Sequence, residues 1–304
     1  MKPISPLHGL VAATHTPFHK DGSLNLGIVE KQAAHLLANG ITFAFIGGTT
    51  GECVSLSLDE RRVLAKQWSE VARGTRLRVI VHVGANCLAD SRVLAAQAQQ
   101  LEALAISAFA PSYFKPRSID ILVACCSEIA SAAPQIPFYY YDIPVMTGVS
   151  LPMPEFLEKA SAQIPNLVGL KFTNPDLMGY LQCIQSGEWD LPWGIDEWLL
   201  AALATGAQGA VGSSFNFAAP LYHRIMRAFE SGDLATARAQ QHRSAQLISL
   251  LARYGYMGAA KAVMSMLHVN VGPARLPNGS LDVSQEQALR TDLEALGFFD
   301  WIKP

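Results

Sequence analysis

The segment from Leu167 to Thr173 joins an uninterrupted apolar run to a single amine, Lys171. A run without polar alternation is typical of a strand buried on both faces of a parallel sheet, so we predict a strand that ends at this lysine. Burial there would lower the pKa of the amine, and a free amine can attack a ketone to form a Schiff base. The alternative is a lysine that ends a strand and reaches water.

A short turn with two hydroxyls follows the predicted strand from Ile41 to Ile46, in the sequence Gly47-Gly-Thr-Thr-Gly-Glu52. Its backbone N–H groups and the hydroxyls of Thr49 and Thr50 can converge on an anion. The turn lacks the lysine of a phosphate-binding P-loop, and a carboxylate is the anion that would suit it. A plain turn with locally satisfied hydroxyls is the alternative.

Three consecutive tyrosines end the predicted strand from Phe138 to Tyr141. Side chains alternate between the two faces of a strand, so Tyr139 and Tyr141 share a face that Tyr140 does not. A phenol at a strand end can relay protons beside a lysine, which makes Tyr141 the candidate. Core packing is the alternative for all three, and we favour it for Tyr139 and Tyr140.

Two further polar clusters follow the last two predicted strands. In Gly194-Ile-Asp196-Glu197, the acids can accept hydrogen bonds from substrate hydroxyls, although helix caps and first helical turns also favour such residues. The segment Gly212-Ser213-Ser214 can likewise form either a helix cap or a polar contact with the substrate.

The elements that must position these groups are short apolar runs spaced fairly evenly along the chain. They are Leu10–Ala13, Ile41–Ile46, Val79–Val83, Leu104–Ala110, Phe138–Tyr141, Leu167–Lys171, Pro192–Ile195 and Gly209–Gly212. Helical patterns separate most of them, and Ser57-Leu-Asp-Glu60 predicts a helix that opens with a capping box. Eight such units indicate a (β/α)8 TIM barrel rather than an open sheet, with its active site at the C-terminal ends of the strands.

The end of the chain lacks strand signals. Its predicted helices are Ala218–Glu230, Leu234–Tyr254, Gly258–Leu267 and Ser284–Leu296. We therefore predict a barrel over residues 1–230 and a C-terminal helical extension over residues 231–304 that packs on it.

Composition narrows the range of partners. A net charge of -2 without a long basic run gives no footprint for nucleic acid or a membrane surface, so we expect a small-molecule partner. No signal peptide or membrane span is evident, and five scattered cysteines indicate reduced thiols in the cytoplasm. The histidines lack metal-binding spacing, and no dinucleotide-binding or nucleophile-elbow motif occurs.

Four segments in order resemble the pyruvate-dependent class I aldolases that include dihydrodipicolinate synthase and N-acetylneuraminate lyase. They are Gly48-Thr-Thr-Gly-Glu52, Tyr141-Asp-Ile-Pro144, Gly169-Leu-Lys171 and the tail from Lys261 to Pro277. The resemblance spans nearly the whole chain. It implies a (β/α)8 barrel with a C-terminal helical extension, a homotetramer, and catalysis through a covalent Schiff base with no metal or organic cofactor.

The same resemblance assigns roles to individual positions. Lys171 would be the Schiff-base lysine and Tyr141 the proton relay, while Thr49 and Thr50 would hold the carboxylate of pyruvate. Tyr113 occupies the place of a tyrosine that completes a hydroxyl relay across a subunit interface in this family.

The branches of this family differ in the second substrate that they use. Dihydrodipicolinate synthases carry an arginine where this chain has Met146, whereas the lyase branch has an apolar residue there. Thr173 would contact the sugar. Asp142 departs from the Asn or His usual in that branch, and an added carboxylate near the site could alter the pKa of Tyr141 or the sugar preference. The positions that match the sugar-binding set of the lyases are Gly194, Asp196, Glu197 and Ser213.

The function that this resemblance implies is reversible cleavage of N-acetylneuraminate, or a related sialic acid, to pyruvate and N-acetylmannosamine. Two enzyme alternatives remain open: a dihydrodipicolinate synthase-like condensing enzyme, and an aldolase for another 2-keto-3-deoxy sugar acid. From a different class, a non-catalytic barrel that binds a keto acid is also compatible with the fold.

Overall fold

The barrel predicted from the sequence is confirmed. A computed structural model describes residues 6–303 and contains, within them, seven parallel strands in the order β6-β5-β4-β3-β2-β1-β7. The strands are β1 (Gly9–Ala13), β2 (Phe43–Ile46), β3 (Arg78–His82), β4 (Ala105–Phe109), β5 (Phe138–Asp142), β6 (Leu167–Phe172) and β7 (Gly209–Gly212).

The gap between β6 and β7 is filled by the segment 190–193. The Trp193 N–H donates to the Gly209 carbonyl over 2.9 Å, and the Trp193 carbonyl accepts from the Val211 N–H over 2.8 Å. The strand predicted over Pro192–Ile195 is nevertheless wrong, because only isolated bridges form there, at Asp190 and Trp193. Pro192 has no N–H to donate, which interrupts the ladder.

The helices surround the strands and continue beyond them. They are α1 (Val29–Ala38), α2 (Leu58–Ala72), α3 (Leu88–Gln100), α4 (Ile119–Ala130), α5 (Pro144–Thr147), α6 (Met153–Ser161), α7 (Leu177–Gln185), α8 (Leu199–Thr205), α9 (Phe215–Glu230), α10 (Leu234–Arg253), α11 (Tyr256–Met266), α12 (Val283–Leu296) and α13 (Phe298–Trp301). The capping box at Ser57 is confirmed, since the Ser57 side chain accepts from the Glu60 N–H and the Glu60 side chain from the Ser57 N–H.

The core has two layers, one inside the barrel and one between the strands and the helices. On β5, Tyr139 and Tyr141 belong to the inner layer, whereas Tyr140 packs outward against Phe156 with ring centroids 4.8 Å apart. Tyr139 donates its hydroxyl to Asp190 over 2.5 Å. The alternation predicted for the three tyrosines is therefore confirmed, and it leaves Tyr141 as the inner phenol at the end of the strand.

The helices after α9 form the predicted tail. The proposed boundary at residue 230 falls at the end of α9, and α10 packs along α9. Among residues 6–303, no helix combines the length and the apolar composition needed to cross a membrane.

Candidate active site

Lys171 lies inside the barrel, at the C-terminal end of β6 and opposite Tyr141 in the strand register. The residue is 4% exposed, and its Nζ atom lies 4.1 Å from the centroid of the Phe45 ring and 4.0 Å from that of Tyr141. Loss of hydration lowers the pKa of Lys171 to about 7, although the negative charge of Asp196 opposes the shift. Much of this amine is therefore neutral and nucleophilic near neutral pH.

Tyr141, whose ring adjoins this amine, links it to the turn after β2. The Tyr141 hydroxyl lies 3.4 Å from Thr49 Oγ1, so the end of β5 meets that turn. Burial raises the pKa of Tyr141, which keeps the phenol protonated. A protonated phenol that contacts a second hydroxyl can accept one proton while it passes on its own.

The turn that carries Thr49 and Thr50 is tight, as predicted. Gly47 has a φ of 61°, and a Cβ atom on Gly48 would lie 2.5 Å from the Phe45 ring, so glycine is needed at both positions. The Glu52 N–H donates to the Thr49 carbonyl over 2.9 Å and closes the turn. Thr50 is partly exposed beside Thr49, which leaves two neighbouring hydroxyls at the end of β2.

The start of the turn is held from β3 by a histidine that sequence reasoning missed. His82 is buried, and its Nδ1 lies 3.0 Å from the Gly47 carbonyl. Burial lowers the pKa of His82 well below its usual range, so the ring is neutral and Nδ1–H donates to that carbonyl. A lone histidine in an apolar strand gave no signal for this role.

Asp196 lies at the start of a 3-10 helix, Asp196–Trp198, and is held by Ser214, the residue that precedes α9. Its Oδ2 atom accepts from the Ser214 N–H over 2.9 Å and from the Ser214 hydroxyl over 2.5 Å. Burial raises the pKa of Asp196 to about 6. A Cβ atom on Gly212 would overlap Oδ1 of the carboxylate, which explains the glycine. The Asp196 charge thus acts on the pKa of Lys171, and the two hydrogen bonds from Ser214 fix the orientation of the carboxylate.

A chain of hydroxyls supports this carboxylate, and sequence reasoning missed most of it. Ser214 has one hydroxyl proton, which it donates to Asp196, so it accepts from the Tyr222 hydroxyl 2.7 Å away. The Tyr222 hydroxyl lies 2.8 Å from Ser244 Oγ on α10. Tyr222 and Ser244 are distant from Asp196 in sequence and lie within helical patterns, so no spacing marked them.

The remaining polar positions flank Asp196. Glu197 is partly exposed, and the Ser213 hydroxyl lies 2.7 Å from that of Tyr256 on α11. A Cβ atom on Gly194 would overlap Thr173 Oγ1. That buried hydroxyl has no hydrogen-bond partner of standard geometry within residues 6–303, and it lies close enough to Tyr141 to oppose the rise in the pKa of that phenol.

Asp142 adjoins Tyr141 in sequence but lies on the opposite face of β5. It is buried, and its Oδ2 atom accepts from Asn174 Nδ2 over 3.1 Å. Burial raises the pKa of Asp142 to about 7. Its charge raises the pKa of Tyr140, which shares its face, and does not act on Tyr141. The suggested effect of Asp142 on the pKa of Tyr141 therefore has no support.

Tyr113 does not contact the other candidate active-site residues of the same chain. It is 79% exposed and contacts the Phe114 ring edge to face, while its N–H donates to Asn86 Oδ1 over 3.0 Å. Met146, the position that separates the family branches, is 62% exposed. Any role for Tyr113 in catalysis therefore depends on a second subunit.

No group of three or more His, Cys, Asp or Glu side chains in the described part of the chain is arranged to hold a metal ion. All five cysteines are free thiols.

A parallel barrel with a buried amine at its C-terminal strand ends can carry out Schiff-base chemistry, and the family and the relatives that this chain matches identify it as a lyase of the pyruvate-dependent aldolase class. The family model described as "Dihydrodipicolinate synthetase family" matches residues 6–296, and the chain belongs to this family. It is 41% identical over 283 residues to N-acetylneuraminate lyase of Gallus gallus, covering 91% of this chain and 92% of the relative.

Two solved structures match this chain over nearly its whole length. N-acetylneuraminate lyase of Proteus mirabilis has a TM-score of 0.94 at 39% identity and covers 97% of this chain and 100% of its own. The sialic acid aldolase of Aliivibrio salmonicida has a TM-score of 0.94 at 40% identity and covers 97% of this chain and 98% of its own. Both confirm the barrel and its helical extension.

Proposed function

We propose that this protein cleaves N-acetylneuraminate, or a related sialic acid, reversibly to pyruvate and N-acetylmannosamine. The observation that carries the proposal is the Lys171 amine, buried inside the barrel with a pKa lowered to about 7 and lying 4.0 Å from the Tyr141 ring. The names of the relatives at about 40% identity support the choice of substrate.

The chemistry starts at the ketone of the open-chain sugar. Lys171 attacks the carbonyl carbon, water leaves, and an iminium forms. The electrons of the C3–C4 bond then move into the iminium, which becomes an enamine, while Tyr141 accepts the proton of the C4 hydroxyl and the N-acetylhexosamine leaves. The proton taken from the C4 hydroxyl returns through Tyr141 to C3 of the enamine, and addition of water to the resulting iminium releases pyruvate and Lys171. The iminium is itself the electron sink, so the proposed reaction uses no metal or organic cofactor.

Burial determines how Tyr141 takes part. Because its pKa is raised, the phenol is protonated before the reaction and acts as a relay rather than as a free phenolate base. Thr49, with its hydroxyl 3.4 Å from that phenol, is the group through which the relay continues toward the substrate carboxylate. In this proposal Thr49 and Thr50 also bind that carboxylate.

The part of the sugar beyond the reacting carbons binds to the polar residues around Asp196. In the proposal, Thr173 offers its buried hydroxyl, and the hydroxyl-bearing tail is bound by Gly194, Asp196, Glu197 and Ser213. Met146 favours a sugar over an anionic second substrate, since a thioether cannot bind a carboxylate by charge. This residue separates the proposal from a dihydrodipicolinate synthase-like condensation.

We further propose a cytoplasmic homotetramer. Four large apolar side chains are exposed in the loop after β4 and in α5, which favours contact with a second subunit. They are Tyr113, Phe114, Val145 and Met146. Such a contact would let Tyr113 extend the hydroxyl relay of a neighbouring site, and the free cysteines support a reducing compartment.

Pyruvate release from N-acetylneuraminate tests the function. The purified protein should release pyruvate, and Lys171→Ala should abolish the release. Activity only with pyruvate and aspartate semialdehyde would assign the condensing reaction instead. Pyruvate binding without turnover of any of these substrates would favour the non-catalytic barrel.

A further inference from the structure

A buried ion pair lies at the end of the turn from Gly47 to Glu52. Lys261 Nζ on α11 lies 2.6 Å from the Glu52 carboxylate, with the two side chains 2% and 0% exposed. Burial removes the hydration of both charges, so such a pair is a poor source of stability in itself. We propose that Glu52 and Lys261 are positioning residues, which set the affinity of the turn for the carboxylate of the keto acid. This inference rests on the proposed function.

Lys261 holds the turn by two routes. Beyond Glu52, its ammonium group donates to the carbonyls of Thr16, over 3.0 Å, and Pro273, over 2.8 Å. With the ion pair to Glu52, the ammonium group therefore contacts three oxygen atoms. Thr16 in turn donates its hydroxyl to the Gly51 carbonyl over 2.7 Å. Lys261 therefore fixes the side chain of Glu52 directly and the backbone of Gly51 through Thr16.

Glu52 transmits this restraint to Thr49. Its backbone has a φ of 55°, a left-handed conformation that is uncommon outside glycine and persists only where the surroundings impose it. Its N–H donates to the Thr49 carbonyl, and its Oε2 atom accepts from the Arg275 N–H over 2.7 Å. Rotation of Glu52 would therefore move the residue whose hydroxyl contacts Tyr141.

The segment after α11 completes the restraint from the C-terminal extension. Arg275 binds both carboxylate oxygens of Glu60, over 2.8 and 2.7 Å, and donates to the Ser55 carbonyl over 2.8 Å. Such a bidentate pair fixes orientation as well as distance. The barrel alone thus does not define the turn, because its end is held by residues that follow the last strand by more than one helix.

Charge adds a second effect with a defined sign. The turn proposed to bind an anion contains a buried carboxylate, which Lys261 neutralises. Without Lys261, an unpaired negative charge would repel the substrate carboxylate, whereas loss of Glu52 would leave a positive charge that attracts it. Removal of the two partners should therefore have unequal effects on KM.

Three variants test this: Lys261→Met, Glu52→Gln and the double variant. We expect Lys261→Met to raise KM for N-acetylneuraminate about tenfold or more, with a smaller loss in kcat. Glu52→Gln should raise this KM less than Lys261→Met does. The double variant should have a KM closer to that of the wild-type protein than Lys261→Met has. Lys66→Met is the matched control, because it removes one partner of an exposed pair with Glu70 and should change nothing.

Reductive trapping separates positioning from general damage. Lys261→Met should slow trapping of pyruvate about tenfold but leave trapping of acetone, which has no carboxylate, unchanged. Parallel losses with both ketones, or a double variant as impaired as Lys261→Met, would overturn the inference. If Lys261→Met does not fold, Glu52→Gln decides, since an unchanged KM for N-acetylneuraminate in that variant would also overturn the inference. Failure of the wild-type protein to trap pyruvate would instead refute the proposed function.

Discussion

Schiff-base formation by Lys171 should follow the titration of an amine near pH 7 rather than near pH 10. Burial lowers the pKa of this lysine from 10.5 to about 7. At about 1.4 kcal/mol per unit, the barrel interior disfavours the charged form by about 5 kcal/mol. At pH 7 roughly half of the amine is then neutral, compared with less than about one part in a thousand for an ordinary lysine.

The assay is the rate of cyanoborohydride trapping with pyruvate well below saturation, which reports on the free enzyme. Adduct formation is followed by intact-protein mass spectrometry from about pH 5 to about pH 10. The protonated amine is inert, so the rate should rise about tenfold per unit below pH 7 and level off above it. Asp196→Asn should move the midpoint to lower pH, because the Asp196 charge raises the pKa of Lys171.

A lysine derivative in solution, trapped under the same conditions, corrects for the pH dependence of the reagent. After that correction, a rate that keeps rising tenfold per unit beyond pH 9 would refute the reasoning. It would mean that the amine titrates as it does in water and that burial does not activate it.

Three further variants test the other groups. Tyr141→Phe removes the phenol beside Thr49 and should slow sugar cleavage by about 10² to 10⁴ while a pyruvate adduct still forms; an unchanged cleavage rate would rule out the relay. Asp196→Ala should weaken N-acetylneuraminate binding, measured as KM, more than pyruvate trapping, and equal losses would argue against a sugar-tail role. Gly194→Ala places a Cβ atom onto Thr173 Oγ1 and should destabilise the fold by about 1 to 3 kcal/mol. Gly27→Ala is the control, because the nearest atom to its added Cβ lies 3.9 Å away. Equal melting temperatures for the two variants would contradict the packing at Gly194.

The fold was largely predictable because each buried strand carries its own signal. Runs such as Leu167–Lys171 are uninterrupted and short, so the pattern alone marks a strand of a parallel sheet. The closing segment carries no such signal. Its pairing depends on the backbone of Trp193 between β6 and β7, with Pro192 interrupting the ladder, and only the assembled barrel defines it.

The candidate site was predictable to the same extent. Lys171 and Tyr141 lie near the ends of recognisable strands, and Thr49 follows another. A barrel brings its strand ends together, so their convergence could be expected. The restraint of Glu52 by Lys261 could not be derived in this way, because the two residues are far apart in sequence and a single lysine in a helix has no distinctive pattern.

Mapping the reduced adduct tests the central claim most directly. The protein is incubated with N-acetylneuraminate, treated with borohydride, digested and analysed by peptide mass spectrometry. We predict a reduced pyruvate adduct on the peptide that contains Lys171, with loss of activity in proportion to its formation. An unmodified Lys171 in a protein that still releases pyruvate, or an adduct on Lys261 instead, would contradict the account.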